Sequence, residues 1–251
     1  MRRHELTDRE WKIVEPYTLG RPGTCGGVGR DNRLFINAVL YRVRTGIPWR
    51  DLPERFGAWN TVARRFRRWA LAGAWEKLFQ AVQEPDYEWV LVDSTTVKAH
   101  KAAAGQKSSA PAECLGRSRG GFSTKLHAVV DALGNCLHLD LTPGQTADCG
   151  LLPDLLAALP QAPGAVVADK AYDTAKSLQT IAGLGAEAVI PPKASRLDQR
   201  PYDENLYADR SKVERFFGRL KEARALATRY DKTACSFLAL AHLLAALDWL
   251  R

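Results

Sequence analysis

The sequence predicts two domains: a small, basic, all-helical one over residues 1–84 and an α/β one over residues 85–251. Three observations predict this. The first is charge. Of 36 Lys+Arg and 28 Asp+Glu in 251 residues, residues 1–80 hold 16 basic and 8 acidic side chains, which accounts for the whole formal net charge of +8. The second is period. Apolar residues recur at helical spacing as far as Val82, and strand-like apolar runs begin only after Pro85. The third is a pair of anomalies: Asp93 and Asp169 each sit in or at the end of an otherwise apolar run. A carboxylate there is costly unless it is paired or metal-bound. A hydrophobic content of 46% over this length supports one sizeable core and a smaller second one.

The helical elements follow from caps and turn residues. Thr7-Asp8-Arg9-Glu10 is a capping-box pattern that opens a first helix, with Trp11 and Val14 facing inward. Residues 16–29 hold five glycines and read as a linker loop. The glycines at 23–29 lack a following Gly-Lys-Ser/Thr and a preceding strand, which excludes a phosphate loop. Asp31 caps a helix over 32–44 with Phe35, Val39 and Val43 in line. Residues 49–56 read as a short helix, Gly57 as a turn, and Asn60 as the cap of a helix whose buried line is Val62, Phe66 and Trp69. Arg64, Arg65, Arg67 and Arg68 lie off that line. Short helix, glycine turn and arginine-rich helix make a helix-turn-helix-like arrangement suited to DNA. A last helix over 75–82 closes the domain.

In the second domain, residues 88–97 form a buried strand carrying Asp93, and residues 101–119, rich in Ala, Gly, Ser, Lys and Arg, read as mobile. Two strands, 122–131 and 136–141, join through Gly134-Asn135. A helix over 148–159, a strand over 164–169, a helix to about 181 and a short strand over 187–190 follow. Asp173 reads as the cap of the helix it precedes, and Asp131 and Asp140 as turn and strand-edge acids. A polar loop over 193–205 leads to an amphipathic helix over 207–221. Its apolar stripe is Val213, Phe216, Phe217 and Leu220; Tyr207, Arg210, Glu214 and Lys221 fall within an arc of about 60° beside it. Thr233 to Leu250 reads as a buried core helix, too short and too interrupted for a membrane span. Three strands pairable as hairpins, then strands joined by helical crossovers, is the layout of a ribonuclease-H-like fold.

The five cysteines show no CxxC pair and the histidines His100, His127, His138 and His242 no metal-binding spacing; both read as reduced or satisfied groups in a cytoplasmic protein. No GxSxG elbow or Cys–His arrangement supports nucleophilic hydrolysis.

Several segments together resemble bacterial insertion-sequence transposases of the DDE type, within them the insertion-sequence-five family. They are Trp49-Arg50-Asp51-Leu52-Pro53-Glu54-Arg55-Phe56-Gly57, Val92-Asp93-Ser94-Thr95, the stretch from Gly116 to Lys125, Ala168-Asp169-Lys170-Ala171-Tyr172-Asp173, and the helix with Tyr207, Arg210, Glu214 and Lys221. The last four match the family pattern Tyr-x2-Arg-x3-Glu-x6-Lys in full. The resemblance spans essentially the whole chain.

It implies Asp93, Asp169 and Glu214 as catalytic carboxylates holding two Mg²⁺ ions, with Mn²⁺ able to substitute. Tyr207, Arg210 and Lys221 would contact DNA, as would Arg64, Arg65, Arg67 and Arg68. It also implies binding to terminal inverted repeats and target DNA, 3′-end joining, and a homodimer or larger synaptic complex near the bacterial nucleoid, with no membrane. Two ions about 3.5–4 Å apart would activate the nucleophile and stabilise the leaving oxygen. A non-catalytic DNA-binding descendant and a metal-dependent nuclease without strand transfer are the competing readings.

Overall fold

The computed structural model describes residues 4–23, 27–104, 111–197 and 199–251. Cys25, part of the glycine-rich stretch, and the centre of the segment expected to be mobile lie outside the described residues. The chain divides into two compact units, Met1–Gln83 with Ala99–Glu113 and Leu220–Arg251, and Glu84–Lys98 with Cys114–Arg219.

The first unit begins with α1 (Asp8–Val14), whose capping box is complete: Thr7 Oγ1 accepts from the Glu10 N–H at 3.1 Å and Glu10 Oε2 from the Thr7 N–H at 2.6 Å. In α2 (Asn32–Thr45), Asp31 Oδ1 accepts from the Leu34 N–H at 2.8 Å, and Phe35, Val39 and Val43 are buried. Gly46 ends this helix at φ 73°, with room for no Cβ because the Arg224 Cβ would stand 2.8 Å away. The segment expected as one short helix is two 3-10 turns, Trp49–Asp51 and Glu54–Phe56. Pro53 separates them, forcing Leu52 into extended backbone at ψ 126°. The next helix, α3 (Trp59–Leu71), starts after Ala58 with no side-chain cap, so Asn60 lies inside it. After α4 (Ala74–Ala81), Phe35, Phe66, Trp69 and Trp75 form one aromatic cluster, with Phe35–Trp69 at 4.9 Å and Trp69–Trp75 at 5.2 Å between ring centroids. Such pairs add to the burial of large rings.

The second unit is built on β1 (Trp89–Ala99), β2 (Gly116–Ser118), β3 (Gly121–Asp131), β4 (Cys136–Pro143), α5 (Leu152–Ala157), β5 (Ala165–Ala168), α6 (Ala175–Gly183), β6 (Glu187–Val189), α7 (Glu204–Ala208) and α8 (Ser211–Lys221). The spatial order is β4–β3–β1–β5–β6, with β2 also on β3. β1, β3 and β4 pair antiparallel, whereas β1–β5 and β5–β6 pair parallel. This is a ribonuclease-H-like sheet, and together with the helical N-terminal region it gives the α/β class that the sequence predicts.

Local chemistry sets the details. Asp131, fully buried, organises the β3–β4 turn: its Oδ1 accepts from the N–H groups of Leu133 at 3.0 Å and Asn135 at 2.8 Å. The helix expected over 148–159 is a 3-10 turn, Asp148–Gly150, followed by α5, where Pro153 occupies the first turn. Likewise α6 starts only at Ala175, because Asp169 caps a separate 3-10 turn, Lys170–Tyr172, and Thr174 caps α6 itself. Asp173 is therefore not a cap. It is buried and accepts from the Lys193 N–H at 2.9 Å and Arg196 Nε at 3.0 Å, with Arg200 at 3.6 Å. Burial works to raise its pKa, but these donors outweigh burial and hold the carboxyl below its ordinary value.

The amphipathic helix expected over 207–221 is broken. α7 ends at Ala208, and α8 starts at Ser211. The backbone tightens to i→i−3 bonds there: Arg210 N to Tyr207 O at 3.0 Å and Lys212 N to Asp209 O at 2.8 Å. Lys212 pins the break to the sheet, donating to Ala132 O at 2.6 Å and Asp209 Oδ2 at 2.7 Å and lying over the Trp89 ring. Gly134, at φ 90°, faces Lys212 closely: a Cβ there would meet the Lys212 Cβ at 3.2 Å.

The chain then passes through α9 (Arg224–Ala227) and β7 (Thr228–Arg229) to α10 (Ala234–Asp248), which belong to the first unit. α10 is the buried core helix that its sequence predicts. Phe237, Leu240, Ala241 and Leu243 are fully buried, it packs on α3 and α4, and His242 stacks on Phe79 at 5.4 Å. No helix among the described residues is long and apolar enough to cross a membrane.

Candidate active site

Asp93 lies mid-strand in β1, opposite Ala128 of β3. Its Oδ1 accepts from the Ser94 N–H at 2.7 Å and its Oδ2 from Arg210 Nη1 at 2.9 Å. The parallel pairing of Val92 with Ala168 brings Asp169 alongside it at the end of β5. Asp169 Oδ1 accepts from the Ala171 N–H at 2.8 Å, and its Oδ2 has no hydrogen-bond partner among the described residues. Glu214, in the first turn of α8, reaches the same arginine: Arg210 Nη2 donates to its Oε1 at 2.7 Å.

Arg210 thus stands between Asp93 and Glu214. Burial raises the Asp93 pKa, and the neighbouring Asp169 charge adds to this, while the Ser94 N–H and Arg210 oppose it. For Arg210, burial works toward a lower pKa, but the attraction of Asp93 and then Glu214 prevails and raises it. The sequence shows the i,i+4 pair of Arg210 and Glu214; it does not show that the same guanidinium reaches Asp93, 117 residues earlier in the chain.

Of the remaining residues singled out from sequence, Tyr207 precedes the break between α7 and α8 and meets Tyr202 edge-on at 5.5 Å. Lys221 closes α8, its ammonium pKa lowered by burial. On α3, Arg64, Arg67 and Arg68 are exposed. Arg65 is not on that free face. It stacks on Phe35 at 4.3 Å and Trp69 at 5.2 Å, and it donates to the Asn32 side chain and the Asp31 carbonyl. Trp59 is exposed at the start of α3 with Arg50 over its ring at 5.6 Å, a contact that no spacing in the sequence signals. The sequence gives no sign of the pairing of Lys125, which donates to Asp148 Oδ1 and to Thr146 O at 2.8 Å each; His127, expected to be satisfied, has its Nε2 2.8 Å from Thr142 Oγ1. Burial lowers the His127 pKa to about 4.

Among the described residues, no three His, Cys, Asp or Glu side chains are gathered closely enough to hold a metal ion together. The donor set still suits a hard divalent cation. It is all oxygen, one Asp169 oxygen is unpartnered, and Asp93 and Glu214 already grip a cation in the guanidinium of Arg210.

The family model described as "Transposase DDE domain" matches residues 84–249. The chain belongs to the DDE-domain transposases of insertion sequences. A second model, "Putative transposase of IS4/5 family", matches residues 6–79 of this transposase. The "Putative transposase for insertion sequence element IS6501" of Brucella ovis is 42% identical over 131 residues, covering 52% of this transposase and 100% of the relative. The "Uncharacterized protein y4sN" of Sinorhizobium fredii is 41% identical over 105 residues, covering 41% and 82%. The "Insertion element IS402 uncharacterized 16.2 kDa protein" of Burkholderia cepacia is 31% identical, covering 41% and 77%. Among solved structures, the "Mos1 transposase paired-end complex with left transposon end" aligns with 97% of this chain and 73% of its own at 15% identity and a TM-score of 0.28. The DDE transposases are nucleic-acid-modifying enzymes, typically metal-dependent.

Proposed function

We propose that this transposase binds the terminal inverted repeats of its element, cleaves DNA there and joins the 3′ ends to target DNA. One observation carries the reading: Asp93 and Glu214 hold one cation, Arg210, between them, with Asp169 on the adjacent strand. Asp93, Asp169 and Glu214 would hold two Mg²⁺ ions, or Mn²⁺ in their place. Those ions, when bound, supply Lewis-acid activation of the attacking oxygen and stabilisation of the leaving one.

The chain's own groups do the rest. Arg210 exchanges its carboxylate partners for a phosphate near the scissile bond, a geometry that a planar guanidinium suits. Tyr207 contacts the DNA backbone or a displaced base, and Lys221 a flanking phosphate. Residues 1–84 form the DNA-binding domain and residues 85–251 the catalytic one. Arg64, Arg67 and Arg68 contact the duplex, and the surplus positive charge of this region favours the polyanion. Arg65 acts behind them, holding α3 against α2. Two element ends require two catalytic centres, so the working form is a homodimer or larger synaptic complex, acting at the bacterial nucleoid.

The test is strand transfer by the purified chain on labelled terminal-repeat DNA, with Mg²⁺, with EDTA, and with Glu214→Gln. Joined products that need the metal and vanish in the variant are the expected result. Nicks without joining would replace the transposition reading by a nuclease. Binding without cleavage in either metal would replace it by a non-catalytic DNA-binding protein.

A further inference from the structure

The hairpin of β2 and β3 carries a charged surface that the reading above leaves unused. β2 pairs with β3 through Gly116–Ser123, Arg117–Phe122 and Ser118–Gly121, which leaves Arg119 and Gly120 as its tip. β1 stops pairing with β3 at Lys98–Ser123, and β4 stops at Thr124–Pro143. The end of the hairpin, residues 118–121, therefore projects past both neighbouring strands as a two-stranded ribbon.

The shape of this ribbon is fixed locally. Gly121 stands at φ 101°, a conformation that side chains rarely adopt, and a Cβ on Gly116 would collide with the Gln145 side chain. Ser118 Oγ donates to the Gly121 carbonyl at 3.1 Å and accepts from Ser123 Oγ at 2.9 Å. The charge is of one sign: Arg117 and Arg119 are exposed, and residues 114–130 include no Asp or Glu. A charge on an edge strand keeps other strands from pairing with it. That accounts for Arg117, but Arg119 sits in the tip, where there is no edge to guard.

A rigid, projecting, cationic ribbon whose glycines let the backbone come close suits the phosphates of a nucleic-acid strand. Strand register sets the reach. Asp93 pairs with Ala128, and Gly121 lies seven residues before Ala128 on β3. At about 3.4 Å per residue, the end of the ribbon stands about 24 Å along the sheet from Asp93, the span of about seven nucleotides of a duplex strand.

We propose that Arg117 and Arg119 hold backbone phosphates of the terminal repeat about seven nucleotides from the bond cut at the end of the element. This rests on the DNA reading given above. It adds to the arginines of α3 a contact made by the unit that carries Asp93.

The experiment measures binding of the full chain to labelled terminal-repeat duplex by fluorescence anisotropy over a KCl series, with ethylation interference on the same duplex. It compares the parent with the double variant Arg117→Gln, Arg119→Gln, and thermal midpoints report folding. The expected slope of log Kd against log [KCl] is shallower in the variant by about 1.8, from about 0.9 per phosphate. Interference about five to nine nucleotides from the element's end should be present in the parent and lost in the variant, with the rest of the pattern kept. A slope within about 0.5 of the parent's would overturn the proposal, and so would a shallower slope with the parent's interference pattern. If the double variant does not fold, Arg119→Gln alone should lower the slope by about 0.9, and an unchanged slope would overturn the proposal. Binding by the parent without interference in that window would remove the proposal and leave the DNA reading standing. A parent that does not bind the terminal repeat would overturn the DNA reading itself, and this proposal with it.

Discussion

Each compact unit holds an arginine–aspartate pair, and the two differ in what surrounds them. In the helical unit, Arg42 meets Asp231 at 3.1 and 3.2 Å, the side chains 6% and 8% exposed, with the Trp49 ring 4.8 Å from the guanidinium. In the α/β unit, Arg210 meets Asp93 at 2.9 Å with the side chains 23% and 19% exposed, and shares itself with Glu214, which is 57% exposed. The first pair is sealed in. The second has a third partner and water within reach, so its members can exchange ligands without burying a bare charge. A similar pair is thus sealed in one unit and open to a third partner and to solvent in the other.

The largest stability effect is expected at the sealed pair. Asp231→Ala leaves the Arg42 guanidinium buried and uncompensated, and should cost about 3–5 kcal/mol. Urea unfolding checks this. A loss below about 1 kcal/mol, the range of exposed pairs, would erase the contrast.

A smaller effect is expected from pH. His127 is fully buried, and burial holds its pKa at about 4, below the ordinary 6.5. Between those values the unfolded chain binds a proton that the folded chain refuses. Stability therefore falls as pH drops from about 6.5 to about 4, by up to about 3 kcal/mol. The raised Asp93 pKa has the opposite sign, favouring the fold less as pH rises above the ordinary carboxylate value. Asp173, held low, adds its loss only as pH falls below that value. The difference between parent and His127→Gln isolates the histidine: the variant's stability should be flatter over this window in urea titrations, and an identical slope would contradict the assignment.

Much of the fold was legible because local rules and tertiary needs agree. The Thr7 and Asp31 caps, the buried line Val62–Phe66–Trp69, and the change from antiparallel to parallel strands follow from residue type, period and connection. The misreadings arise where a distant partner or a proline decides. Pro53 splits one expected helix, and Lys212, bonded to Ala132 O, settles the break at Asp209 and Arg210 within another. Asp173 looks like a cap until residues 193–200 fold over it. Arg65 looks like its exposed neighbours until Asn32 and Phe35 claim it. Asp93 and Asp169 stand out in sequence as misfits in apolar runs, and Glu214 through its place in the Tyr207, Arg210, Glu214 and Lys221 arc. The pairing of Lys125 with Asp148 carries no such mark, because the partners lie 23 residues apart on different elements.

In the function proposed above, Asp93 serves chemistry at the expense of stability, since burial disfavours its charge. The most direct measurement pairs DNA cleavage with thermal unfolding for Asp93→Asn. The expected result is a cleavage rate lower by on the order of 1,000-fold or more, as loss of several kcal/mol of metal-centred stabilisation requires, with a melting temperature unchanged or raised. Cleavage at the parent rate, or a large fall in melting temperature, would contradict it.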